Sequence, residues 1–147
     1  MNNLPSSVLF CCDHNSIRSP MAEGLMKKHV GTKSFVQSAG VKNIKDIDGF
    51  SITVCAEVGV ELEKHQVRSF EDLADFGDDL ESYDLIIALS PASASMVRDL
   101  TKDAAVGVEF WDIADPTGAG DSREANLISY RAVRDDIINR IAKRFPQ

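Results

Sequence analysis

The segment Cys12-Asp13-His14-Asn15-Ser16-Ile17-Arg18-Ser19 puts a thiol, a guanidinium and a hydroxyl at the spacing C-x5-R-S. It leaves an apolar run and enters a helical pattern, so its backbone N–H groups can turn inward as an anion-binding nest, helped by the helix N-terminus. Asp13 to Ile17 would supply those amides. Arg18, where the loop closes, can hold two oxygens of a tetrahedral oxyanion with its planar fork. Cys12 would then lie under the anion's central atom. A free thiol is only a few per cent ionised at neutral pH, so a cysteine nucleophile needs this positive field to act as thiolate. Ser19 can give its hydroxyl proton to that sulfur, in competition with a helix-capping role. Asn15 tolerates a left-handed backbone and suits the sharpest point of the loop.

Chemistry at a phosphoryl group also needs an acid for the leaving oxygen. Asp115-Pro116 falls in the polar, glycine-containing loop Asp112 to Asp121, and Asp112 and Asp121 flank it as competitors. In a parallel sheet, the loops after the carboxyl ends of the strands share one face, so this loop and the Cys12 loop can meet. Spacing favours Asp115 modestly.

Those loops need a scaffold, and the chain alternates short apolar runs with helical patterns, as strands and crossover helices of a parallel sheet do. Val8 to Cys12 is an unbroken apolar run, expected of a strand covered on both faces. Ser19 reads as N-cap and Pro20 as first residue of a helix continuing from Met21 to Val30, stopped at Gly31. Strands follow at Ser34–Ala39, Asp84–Leu89 and Ala105–Trp111, with helices at Phe50–Val58 (before Gly59) and Pro91–Thr101. Leu127, Tyr130, Val133, Ile137, Ile141 and Phe145 recur every three or four residues, marking a long amphipathic C-terminal helix. Alternation turns Cys11 away from Cys12 into the core, and Cys55 sits in a helix core. The acidic stretch Glu71 to Glu81 reads as a solvated face.

The chain has 147 residues, 44% apolar and 27% charged, which fits one α/β domain over 1–147. Asp and Glu outnumber Lys and Arg by 23 to 16, a net charge of −7, which disfavours nucleic acid and anionic membrane as partners. No apolar run approaches the ~20 residues of a membrane-spanning helix. Met1 to Ser7 has neither cationic residues nor an apolar core, so no secretion leader is expected. Three cysteines, two adjacent, argue for reduced thiols in the cytoplasm over a disulfide framework. His14, His29 and His65 lack metal-ligand spacing with the cysteines. His14 is expected at the pocket rim, His29 at a helix C-terminus, and His65 as support for the loop.

The stretch Val8 to Glu23, then Ser38-Ala39-Gly40, Gly59 to Arg68 with His65, Asp115-Pro116, and Tyr130-Arg131 to Arg134-Asp135 together resemble the low-molecular-weight protein tyrosine phosphatase family. The resemblance implies a four-stranded parallel sheet flanked by helices in three layers, and a cysteine mechanism without metal or cofactor. It implies Cys12 as nucleophile, Arg18 as phosphate clamp, Asp13 to Ser19 as the phosphate-binding loop, and Asp115 as general acid. The chain departs from the family's pattern at three places. Ile17 replaces a second loop cysteine, so a disulfide within the loop cannot form. His14 replaces a frequent glycine. Thr117-Gly118 stand where well-known members carry tyrosines that wall the pocket.

The reading that follows is a cysteine-dependent phosphomonoester hydrolase working through phosphocysteine. Its substrate would be a phosphorylated protein or a small phosphomonoester, with inorganic phosphate as product or inhibitor. A thioredoxin-coupled arsenate reductase is the rival enzyme. Such reductases carry a further cysteine pair after the third strand, where Ala88 to Ala94 has none. A phosphate-binding regulatory protein with weak catalysis is the rival of another class.

Overall fold

The computed structural model describes residues 4–147. The reading of Met1 to Ser7 as lacking a leader falls partly on residues 1–3, outside the described residues. Four strands, β1 (Ser7–Cys12), β2 (Phe35–Gly40), β3 (Leu85–Ala88) and β4 (Gly107–Phe110), form one parallel sheet in the order β2-β1-β3-β4. Val8 pairs with Val36 on one side and Leu85 on the other, and Cys12 ends β1 opposite Gly40. The strand order reverses at β1, so the crevice beyond its carboxyl end is where such a sheet receives a ligand. The Cys12 loop begins there.

Helices α1 (Arg18–Val30), α2 (Gly49–Ala56) and α5 (Arg123–Arg144) cover one face of the sheet. Helices α3 (Phe70–Asp75) and α4 (Pro91–Leu100) cover the other. Alternation along β1 divides its side chains accordingly: Val8, Phe10 and Cys12 face α1 and α5, while Leu9 and Cys11 face α3 and α4. This is the expected three-layer α/β sandwich. The C-terminal stripe is buried as its period requires, with Ile137 and Ile141 at the centre of the core and Tyr130 against Phe50 at 5.1 Å between ring centroids. Arg134 ties α5 to α2 through the Val54 carbonyl (2.9 Å) and Glu57 (2.7 Å).

Local chemistry accounts for most element ends. Asp48 caps α2 by accepting from Phe50 N and Ser51 N, and Ser90 with Pro91 opens α4 through a reciprocal capping box with Ser93. Gly31 and Gly59 both take positive φ where α1 and the turn after α2 stop. One cap expectation fails. Helix α1 starts two residues early, at Arg18, with Ile17 in the cap position and no side-chain cap. Pro20 therefore lies within the first turn, where a missing N–H costs nothing. Ser19 is released from capping, because its hydroxyl is drawn to Cys12. Where the acidic stretch begins, Ser69 and Asp72 form a capping box that starts α3, and Leu73 is buried beneath it.

Candidate active site

Strand β1 delivers Cys12 to the crevice, and residues 13–17 cross to α1. Asn15 takes φ 57°, the expected left-handed conformation, and its side chain is fully buried under the loop. Its amide holds four partners. Nδ2 donates to Ser19 Oγ (2.9 Å) and Ser38 Oγ (2.8 Å), while Oδ1 accepts from Arg68 N (3.0 Å) and faces His65 Nε2 (3.0 Å). An oxygen that already accepts a backbone N–H can only accept again, so His65 carries its proton on Nε2. Burial pushes the His65 imidazole below its ordinary pKa, and Arg68 and Lys27 act the same way against the opposing Glu23 carboxylate. Ser38 Oγ passes its own proton to buried Glu23 (2.6 Å), whose other oxygen holds Lys27 (2.6 Å). His65 supports the loop, as expected.

This network orients the hydroxyl that matters. Ser19 Oγ accepts from Asn15 and lies 2.9 Å from Cys12 Sγ; to a Cys12 thiolate, which can only accept, it donates. Ser19 N lies 3.4 Å from the same sulfur. Two donors from the first turn of α1 thus converge on one thiol, the arrangement that solvates a thiolate.

The loop is anchored through its carbonyls. Those of Cys12, Asp13 and Ser16 accept from Val41 N, Lys42 N and Asp48 N at 2.9–3.1 Å. Among the described residues, no protein acceptor takes the amides of 13–18. They are available to an anion, as the nest reading expects. The approach of β2 to the loop is close enough to require glycine: a Cβ on Gly40 would lie 2.6 Å from Asn15 N and 2.7 Å from the His14 carbonyl carbon.

Arg18 is buried to 7% exposure and reaches the loop after β4 by donating Nη1–H to the Ile113 carbonyl (3.1 Å). Two residues on, Asp115 lines the same cavity of about 80 Å³ as Cys12, Asp13, His14, Ser16, Ile17, Arg18, Lys45 and Thr117. Asp112 and Asp121 do not line it. Asp115 Oδ1 accepts from Thr117 N (3.0 Å) and Thr117 Oγ1 (2.8 Å). Partial burial raises its pKa, but the Thr117 bonds and the charges of Arg18 and Lys45 outweigh that and hold it below an ordinary aspartate.

Three features of the cavity carry no signal in the sequence. Lys45 is a loop residue outside any motif, and Thr117, expected at the pocket wall, also holds the Asp115 carboxylate. Asp13 offers more than an amide: its Oδ2 pairs with Arg18 Nη2 at 3.3 Å. Its other oxygen, Oδ1, and the Nδ1 of His14 are shut off from water without a hydrogen-bond partner. The two remaining cysteines stand apart. Cys11 lies on the opposite face of the sheet, its thiol pushed well above the ordinary value by burial and by neighbouring Cys12; burial likewise pushes Cys55 up to about 12. Among the described residues, no three His, Cys, Asp or Glu side chains gather as a metal site, and no helix is long and apolar enough to cross a membrane.

An arsenate reductase of Bacillus licheniformis is 32% identical over 141 residues, spanning 96% of this chain and 95% of its own length. A solved structure of an arsenate reductase in the phosphate-binding state superposes with TM-score 0.70 at 27% identity, covering 94% of this chain and 98% of that one. The fold is shared with the low molecular weight protein tyrosine phosphatase of T. tengcongensis, with TM-score 0.76 at 24% identity over 94% of this chain and 96% of that one. The match to the family described as low molecular weight phosphotyrosine protein phosphatase runs from residue 7 to residue 146, and the chain belongs to that family.

Proposed function

We propose that the protein is a cysteine-dependent phosphomonoester hydrolase. The observation that carries this reading is the convergence of Ser19 Oγ and Ser19 N on Cys12 Sγ, in a cavity that Arg18 and Asp115 share. The Cys12 thiolate attacks phosphorus in line, forming an S–P bond as the P–O bond to the leaving group breaks. Asp115 gives its proton to the departing oxygen, and the amides of 13–18 with Arg18 hold the three equatorial oxygens. Asp115, now a carboxylate, takes a proton from water as that water attacks phosphorus. The S–P bond breaks and inorganic phosphate leaves. Three buried, unbridged thiols support a reducing, cytoplasmic setting.

The arsenate reductase named among the relatives makes arsenate reduction the second reading. Reduction needs resolving thiols. Here only Cys11 and Cys55 remain, and burial holds both as unreactive thiols away from the cavity. The test is a pair of assays: para-nitrophenyl phosphate turnover with EDTA, and arsenate-dependent oxidation of thioredoxin. Turnover lost in Cys12→Ser, without arsenate reduction, supports the hydrolase. Arsenate reduction, or phosphate binding without any turnover, overturns it in favour of the reductase or of a phosphate-binding regulator.

A further inference from the structure

Lys45 enters the wall of the cavity from the loop between β2 and α2, and no step of the reaction above uses it. That loop is pinned beside the nucleophile. Val41 N and Lys42 N donate to the carbonyls of Cys12 and Asp13 at 3.1 and 2.9 Å, and Asp48 N donates to that of Ser16 at 3.0 Å. Lys45 stands midway between these anchors and is exposed, which puts it at the rim of the cavity, whereas Arg18 is buried at its floor. Among the described residues, its ammonium forms neither a hydrogen bond nor an ion pair. The other charges of the cavity are matched. Arg18 pairs with Asp13 at 3.3 Å, and Asp115 is neutral while it holds the proton that the leaving oxygen takes. The phosphoryl group occupies the loop amides and Arg18. Lys45 is left as an unmatched cation at the mouth, on a flexible stem that keeps its charge in water, where the leaving group lies. The chain as a whole carries −7, so an anionic leaving group depends on this local cation.

Resting on the hydrolase reading above, we propose that Lys45 is a specificity-determining residue, which pairs with a second anionic group, a carboxylate or a further phosphate, carried by the leaving group a few bonds from the ester oxygen. A phosphomonoester of that class is held at two points, its phosphoryl group by the loop amides and Arg18 and its second anion by Lys45. An ester with a neutral leaving group is held at the first point alone.

The test uses two substrates of matched shape, 3-carboxyphenyl phosphate and its neutral counterpart 3-carbamoylphenyl phosphate, with wild type, Lys45→Gln and Lys45→Glu. Dividing the wild-type ratio of kcat/KM values by the ratio in a variant cancels the intrinsic difference between the leaving groups. It also cancels any change that the lost charge makes at Asp115, which both substrates share. The quotient for Lys45→Gln should be about threefold or more, the yield of an exposed ion pair, with the change carried by KM. Lys45→Glu should enlarge it further, since attraction becomes repulsion. A quotient near one, with both substrates turned over, overturns the selection by Lys45 and leaves the hydrolase intact; equal losses on both would assign Lys45 to the phosphoryl group itself. Turnover of neither substrate, nor of para-nitrophenyl phosphate, by wild type overturns the hydrolase reading. A measurement that needs no variant accompanies these: phosphonoacetate must inhibit wild type more tightly than phosphonoacetamide, and equal inhibition contradicts the proposal.

Discussion

Asn15 Nδ2 donates to Ser19 Oγ over 2.9 Å and so holds the hydroxyl oxygen beside Cys12. A Cys12 thiolate can only accept, and to it the Ser19 hydroxyl donates across 2.9 Å. Asn15 is in turn held by His65 and Arg68 N, so residues far along the chain fix the position of the Ser19 hydroxyl's partner.

Ser19→Ala removes a donor from a charged acceptor, an interaction worth roughly 1.5–3 kcal/mol, or about 10- to 100-fold in thiolate population. Alkylation of Cys12 by iodoacetamide at a fixed pH should slow, and turnover should fall by a similar factor. An alkylation rate identical to wild type would remove Ser19 from this role.

The Asp115 carboxyl is held below its ordinary value by Thr117, Arg18 and Lys45. A general acid works only while protonated, so kcat/KM for a poor leaving group should decline as pH rises from the acidic side. Thr117→Val deletes the Oγ1 bond, and the declining limb should then move to higher pH. Asp115→Ala should slow poor leaving groups by roughly 10²–10⁴-fold and activated ones far less. Equal losses on both would place the acid elsewhere.

Burial depresses the His65 imidazole in the folded chain, so below ~6.5 the unfolded chain binds protons that the native state refuses. Stability should therefore fall on acidification through that value and recover as pH rises. In His65→Gln, the melting temperature should depend less on pH between 7.5 and 5.5. An unchanged slope would mean that His65 titrates alike in both states.

Gly40→Ala forces a methyl group against the backbone of His14 and Asn15, which cannot rotate away. Overpacking of this kind costs about 1–3 kcal/mol. The variant should unfold at lower urea concentration and bind inorganic phosphate more weakly. Wild-type phosphate affinity in Gly40→Ala would show that the loop tolerates displacement.

Signals confined to neighbouring residues were legible in the sequence. The Val8 to Cys12 run, the stripe from Leu127 to Phe145, the left-handed Asn15 and the glycine stops each follow from a local rule, and the sheet places them as expected. Features set by distant partners were not. Ser19 has strong capping preference, yet the buried sulfur of Cys12 and the amide of Asn15 outcompete the helix end for it. Helix α3 covers six residues, too short for a period to emerge, and only the Ser69–Asp72 spacing marks its start. The path of the loop after β4 separates Asp115 from Asp112 and Asp121, and that path hangs on the Arg18 bond to the Ile113 carbonyl. Lys45 reaches the cavity from the loop between β2 and α2, with no pattern to announce it.

In the proposed reaction the phosphoryl group passes through Cys12. Asp115→Asn should still allow attack on para-nitrophenyl phosphate, whose leaving group needs little protonation, while depriving the second step of its base. Quenching that variant during turnover and mapping the phosphorylated peptide by mass spectrometry locates the intermediate. A phosphoryl group should have accumulated on Cys12. Phosphorylation of His14 instead, or continued product release with no covalent adduct, would contradict it.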